Sequence, residues 1–158
     1  MVSEKKKQII IPKEDAVFRM DKNGDWHNKH GKFEHPKIIR YFNASIKKDA
    51  KGYYVCQETD ELIEKVYFHY EDTALFVLDI KTNEDILLIL NNTDTIKLDP
   101  DQLFSRDDNL YLQTPEHQIK FKDRALLKIS KFMDEKDGQL LFKIKGKPGC
   151  LINTREKI

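Results

Sequence analysis

The feature that most constrains this chain is the way its apolar residues arrive in short bursts, each cut off by Gly, Asn, Asp or Pro. Ile86-Leu87-Leu88-Ile89-Leu90 is followed at once by Asn91-Asn92-Thr93-Asp94 and then by the alternating Thr95-Ile96-Lys97-Leu98, the pattern of a hairpin. Val17-Phe18-Arg19-Met20, the turn chemistry of Asp21-Lys22-Asn23-Gly24-Asp25, and Trp26 predict a second hairpin, because Asn and Gly tolerate positive φ. Strand patterns also cover residues 53–57, 62–70 and 74–80, the last almost wholly apolar and so expected in the middle of a sheet. Further strands are predicted at 110–113, around Ile119 and Phe121, and over 140–144, with residues 99–108 expected as an irregular connection.

Two segments carry helical spacing instead. Pro36 suits a first helical position, and Ile38, Ile39, Phe42 and Ile46 recur on one face until the charged turn at Gly52. Asp123 is expected to cap a second helix presenting Ala125, Leu126, Ile129, Phe132 and Met133, which ends before Asp137-Gly138. Many strands, two short-to-medium helices and no regular βαβ alternation predict an α+β fold with mostly antiparallel sheet. Helix, charged glycine-containing turn and strand occur twice, and Tyr-Val-Cys-Gln and Tyr-Leu-Gln-Thr open similar strand pairs. Both point to an internal duplication: a loose arm over 1–15, a first unit over 16–81 and a second over 82–158 packed against it.

Charge excludes some functions. Lys and Arg number 28 against 27 Asp and Glu, so no global field exists to hold a nucleic-acid backbone or an anionic membrane. Lys120-Phe121-Lys122 and the basic 143–147 segment are solvated strand faces on this reading, and nucleic acid is not an expected partner. No apolar run approaches the roughly 20 residues that span a bilayer. The N-terminal isoleucines Ile9 to Ile11 are too few for an export signal, so a soluble cytoplasmic protein is expected. Cys56 and Cys150 lie far apart without CxxC spacing, which fits a reducing compartment. In such a setting the Asn-x-Ser/Thr matches at Asn43 and Asn91 are chance.

The chemical motifs are incomplete. Asp21 to Asp25 begins like a calcium loop, but Trp26 stands at the sixth position, where a turn glycine is needed, and Lys32 at the twelfth, where a bidentate Glu is needed. His27, His30 and His35 cluster in sequence without fixed geometry, so no metal and no cofactor are expected. Neither Cys56 nor Ser105 sits in a nucleophile elbow, no phosphate-cradling glycine motif occurs, and the adjacent Glu71 and Asp72 suit a turn.

Several features in order, Gly24-x-Trp26, His35-Pro36, Gly52-Tyr53-Tyr54-Val55 and Tyr70-Glu71-Asp72-Thr73-Ala74-Leu75-Phe76, resemble the bacterial domain of unknown function 1285 (DUF1285) family. Thr82-Asn83 and the Arg124-containing segment fall where that family has similar residues, so the resemblance runs over roughly residues 18–152. The chain departs from the family at Gln57-Glu58-Thr59-Asp60-Glu61, where a Thr-Pro-x-Glu is usual, and lacks a proline near Leu75. The resemblance implies two α+β units in tandem, a ligand crevice between them and a role in signalling.

The leading expectation is therefore a non-enzymatic binding or regulatory module for a small polar or anionic ligand. Trp26 is the expected stacking surface, Arg40 and Arg124 the cationic forks, and Thr82 and Asn83 the turn-located hydrogen-bonding groups. A hydrolase or lyase built from His27 or His69 with Glu71 and Asp72 is one alternative. A protein–protein adaptor or homo-oligomer, using a sheet edge or Ile9 to Ile11, is another.

Overall fold

The computed structural model describes residues 6–155, so the first five residues of the expected arm and the last three of the chain lie outside the described residues. The chain divides into two compact units, Met1–Ala74 and Leu75–Ile158.

In the first unit, β1 (Lys7–Ile11) runs parallel to β7 (Leu62–Tyr67), which continues antiparallel through β6 (Gly52–Glu58) to β5 (Ile46–Asp49). The expected arm thus contributes an edge strand. A second sheet has the order β4-β3-β2-β8, from β2 (Phe18–Met20), β3 (Trp26–Asn28), β4 (Gly31–Lys32) and β8 (His69–Tyr70). The predicted 62–70 strand is therefore shared between the two sheets, broken at Phe68, which is fully buried. Phe68 meets Trp26 with ring centroids 4.9 Å apart, and Phe18 and Phe42 complete the aromatic cluster.

The first helix, α1 (Pro36–Ala44), starts on Pro36 as expected but stops before Ile46. Ser45 ends it: its N–H reaches the carbonyls of Tyr41 and Phe42, and its hydroxyl donates to Tyr41 O at 2.7 Å. Ile46 instead opens β5, buried while Lys47 and Lys48 are exposed, and the 46–52 segment is a hairpin arm rather than a charged turn. Ile38 is 46% exposed and so is not part of a core face.

The second unit is built on a seven-stranded sheet ordered β11-β10-β9-β14-β13-β12-β18. It comprises β9 (Leu75–Thr82), β10 (Ile86–Leu90), β11 (Thr95–Lys97), β12 (Leu103–Arg106), β13 (Asn109–Gln113), β14 (Gln118–Phe121) and β18 (Asn153–Thr154). The apolar β9 is flanked by β10 and β14, and these later pairings set the division at Ala74/Leu75 rather than after residue 81. Asn91 pins the end of the β9–β10 pair. Its N–H donates to Phe76 O at 3.0 Å and its side-chain oxygen accepts from Phe76 N at 2.9 Å.

The second helix, α2 (Asp123–Ile129), buries Ala125 and Ile129, but Lys122 occupies the capping position and Asp123 is the first helical residue. An acid there still complements the helix dipole. Met133 belongs to β15 (Met133–Lys136), paired with β16 (Gln139–Phe142) through Asp137 and Gly138, both at positive φ, and β17 (Cys150–Leu151) completes this small sheet. Residues 99–108 are not irregular throughout, since Leu103 and Phe104 are buried in β12. The turn that follows uses Asp107 and Asp108 at φ 51° and 63°, without a glycine to announce it. The α+β architecture with two helices is as the sequence predicted, and α1 and α2 are each followed by a two-stranded hairpin.

Candidate anion-binding site

The β2–β3 turn that resembles a calcium loop closes on its own acid. Asp21 Oδ1 accepts from the backbone N–H of Asn23 at 2.8 Å and of Asp25 at 3.0 Å, while Oδ2 lies 2.7 Å from His27 Nε2. Gly24, at φ 83°, supplies the left-handed step that turns the chain. Burial alone would raise the Asp21 carboxyl, but the hydrogen bonds from His27, Asp25 and Asn23 outweigh it and hold the group below the usual carboxylate range. Ionised Asp21 accepts, so His27 Nε2 carries a proton and the imidazole is held in one orientation.

Strand register then assembles a row. Arg19 in β2 is directly opposite His27 in β3 and also opposite His69 in β8. Residues directly opposite one another share a sheet face, so His27, Arg19 and His69 stand side by side on it. The alternate residues Met20 and Trp26 are buried on the other face. A cavity of about 260 Å³ opens over the row, lined by Lys13, Arg19, His27, Lys29 and His69, with Glu14 as the one acid and Ala16, Val17 and Phe18 as apolar wall. Val17 is 79% exposed. The nearby acids are engaged from the side: Glu71 lies 3.6 Å from Arg19 Nη1 and accepts from Lys22 N at 3.1 Å. With Asp21 on His27 and Glu71 beside Arg19, the wall offers the donors of Lys13, Arg19, Lys29 and the imidazoles, and a concentration of donors of this kind suits an anion.

Two further concavities occur among the described residues. Asn28, His30, Lys32, Phe33, Glu34 and His35 line a neighbouring cavity of about 260 Å³ in the same unit. Among the described residues no group of three or more His, Cys, Asp or Glu side chains is placed to hold a metal ion. In the second unit a cavity of about 410 Å³ is edged by Ser105, Asp107, Asp108 and Thr154 over Leu110, Leu126, Met133 and Leu140, with no cationic side chain on its wall. The Cys150 thiol donates to Asp101 Oδ1 at 3.1 Å, and this bond, with burial, pushes it up, away from nucleophilic thiolate character.

The residues expected from sequence are distributed over both units. Trp26 is 1% exposed, and its indole N–H donates to Asn43 Oδ1 at 2.7 Å, so it offers no face for a ligand to stack on. Arg40 is exposed on α1. Thr82 ends β9 and Asn83 opens the following turn, its N–H bonding Asp85 O at 3.0 Å; both are exposed. Arg124, exposed in the first turn of α2, helps Lys128 keep the Asp79 carboxyl below its usual range, chiefly through the 2.6 Å Lys128–Asp79 bond. The catalytic alternative requires His27 or His69 to converge with Glu71 and Asp72; His27 and His69 border one cavity, but the carboxylate on His27 is Asp21, and Glu71 is tied to Arg19 and Lys22. Asp21 and His27 could have been linked from their places at the two ends of a tight turn. Arg19 beside His69 could not, because that pairing joins segments 50 residues apart.

No family's sequence pattern matches the chain, and no curated protein matches it. Among solved structures, the chain is similar to a DUF1285 family protein from Silicibacter pomeroyi DSS-3, with 12% identity, a TM-score of 0.61, and coverage of 94% of this chain and 83% of that one. A second DUF1285 family protein, from Shewanella baltica OS155, matches at 19% identity and a TM-score of 0.48, covering 70% of this chain and 86% of that one. The class is thus a mostly antiparallel α+β protein. More particularly, the chain resembles the DUF1285 family in fold. No helix among the described residues is long and apolar enough to cross a membrane.

Proposed function

We propose that this protein is a non-enzymatic ligand-binding module with a regulatory, signal-transducing role in the cytoplasm, and that it binds a small anionic ligand over Arg19, His27 and His69. The observation that carries the reading is the chemistry of one cavity wall: Lys13, Arg19, His27, Lys29 and His69 against Glu14 alone. Exposed Arg40 is proposed as a further polar contact in the first unit, and Thr82, Asn83 and Arg124 as polar ligand contacts within the second; the repeated helix–hairpin order supports a tandem duplication of the two units. A thermal-shift panel of phosphorylated and carboxylate metabolites tests the reading. Ligand at 100 times its Kd stabilises by roughly 2.7 kcal/mol, which raises the midpoint by roughly 5–11 °C at about 2–4 °C per kcal/mol for a chain of this size. Arg19→Gln is expected to cut the shift to about half or less, and a panel that shifts nothing counts against the proposal.

One observation favours a second reading. The 2.7 Å Asp21–His27 bond is the arrangement that orients a general base, so a hydrolase or lyase at the same cavity is the alternative. Product release abolished by His27→Gln, with ligand affinity retained, would select it. The exposed Ile9 and Ile10 on edge strand β1 support the adaptor or oligomer alternative, for which a concentration-dependent size shift lost on deleting residues 1–12 is the test.

A further inference from the structure

We propose, resting on the anion-site reading above, that the ligand is a phosphate monoester whose tetrahedral phosphoryl group is gripped across three strands by His27, Arg19 and His69. The register places Arg19 between the two histidines. Neighbouring strands lie about 4.8 Å apart, so the two imidazoles rise from backbones roughly 10 Å apart, with the guanidinium between them.

That spacing discriminates between anions. A carboxylate is planar, singly charged and has two oxygens, and a guanidinium fork saturates it. A phosphoryl group has three terminal oxygens pointing in different directions and a charge of about −1.5 to −2 near neutral pH. Donors approaching from both sides of Arg19 match the second shape and leave half their capacity unused with the first. Lys13 and Lys29 on the wall supply the additional positive charge that a dianion calls for. Asp21 occupies His27 Nε2, so this imidazole meets the ligand through Nδ1, a donor only in the imidazolium form, and Glu71 stands 3.6 Å from Arg19 Nη1, so the guanidinium keeps further N–H groups for the ligand.

Size and surface define the rest of the molecule. A cavity of about 260 Å³ accommodates a phosphoryl group with a small organic part. Ala16 and the 79%-exposed Val17 give that organic part an apolar ledge.

Calorimetric titration of the full chain with phenyl phosphate and with benzoate, which share the ring and differ in the anion, tests the assignment. Phenyl phosphate is expected to bind at least about tenfold more tightly, and Arg19→Gln and His69→Gln each to weaken it about tenfold or more while leaving the thermal midpoint of the free protein unchanged. Arg19 and His69 are exposed enough for both variants to fold. Equal affinity for the two probes overturns the phosphate assignment and leaves the anion-site reading standing. No binding of either, or phenyl phosphate binding that both variants retain, overturns the assignment and the reading together. Sedimentation with phosphatidic acid vesicles, competed by phenyl phosphate, would assign the monoester to a lipid headgroup; phenyl phosphate binding without sedimentation would assign it to a soluble ester.

Discussion

Replacing Trp26 with Phe separates a core role from a ligand-facing one. The substitution removes the 2.7 Å hydrogen bond to Asn43, worth about 0.5–1.5 kcal/mol net. It also removes the second ring from a site that is 1% exposed and packed edge-on against Phe18, Phe42 and Phe68. The lost ring edge corresponds to about two buried methylenes, or about 1.5 kcal/mol. The sum, about 2–3 kcal/mol, lowers the thermal midpoint by roughly 4–12 °C. Because Trp26 is the chain's single tryptophan, wild-type fluorescence reports unfolding of the first unit alone, while the variant is followed by far-ultraviolet circular dichroism. A cycle with Asn43→Ala should show a coupling of about 1 kcal/mol. Anion affinity should stay within about twofold, since Trp26 and the Arg19 row lie on opposite sheet faces. A variant as stable as wild type that no longer binds anions would refute this reasoning.

Three further outcomes follow from the same geometry. Asp21 is held below its unfolded value, so its contribution is present above the ordinary aspartate range near about 4 and disappears as pH falls through the lowered native value; acid unfolding should be steeper in wild type than in Asp21→Asn. Tyr67, bonded to Asp49 and pushed up to about 12 first by burial and then by that bond, contributes stability that is complete below the unfolded value near about 10 and is lost as pH rises through about 12. Ultraviolet titration should show a late tyrosinate that Tyr67→Phe removes. Asn91→Ala leaves the buried Phe76 N–H without its side-chain acceptor, which should cost about 1–3 kcal/mol in urea unfolding.

The sequence made the architecture legible where local chemistry and burial agreed. Pro36 started its helix, Asp21 to Asp25 made its turn, and the apolar Leu75–Thr82 strand lies inside its sheet. The errors came where two periodicities overlapped. Ile46 continues the helical spacing of Ile39 and Phe42 yet also opens an alternating strand, and the Ser45 cap decides between them. Leu103 and Phe104 were hidden between a Pro-containing turn and a glycine-free Asp-Asp turn. The candidate site was only half visible. Asp21 and His27 are close in sequence, but their neighbours Arg19 and His69 meet through parallel pairing of β2 with β8, which no local pattern encodes.

The most direct test is to titrate isotope-labelled protein with inorganic phosphate and follow every backbone amide by NMR. The account predicts saturable shifts concentrated at Lys13–Arg19, His27–Lys29 and His69, the segments that wall the cavity. Shifts gathered elsewhere, or none at phosphate concentrations well above millimolar, would contradict it.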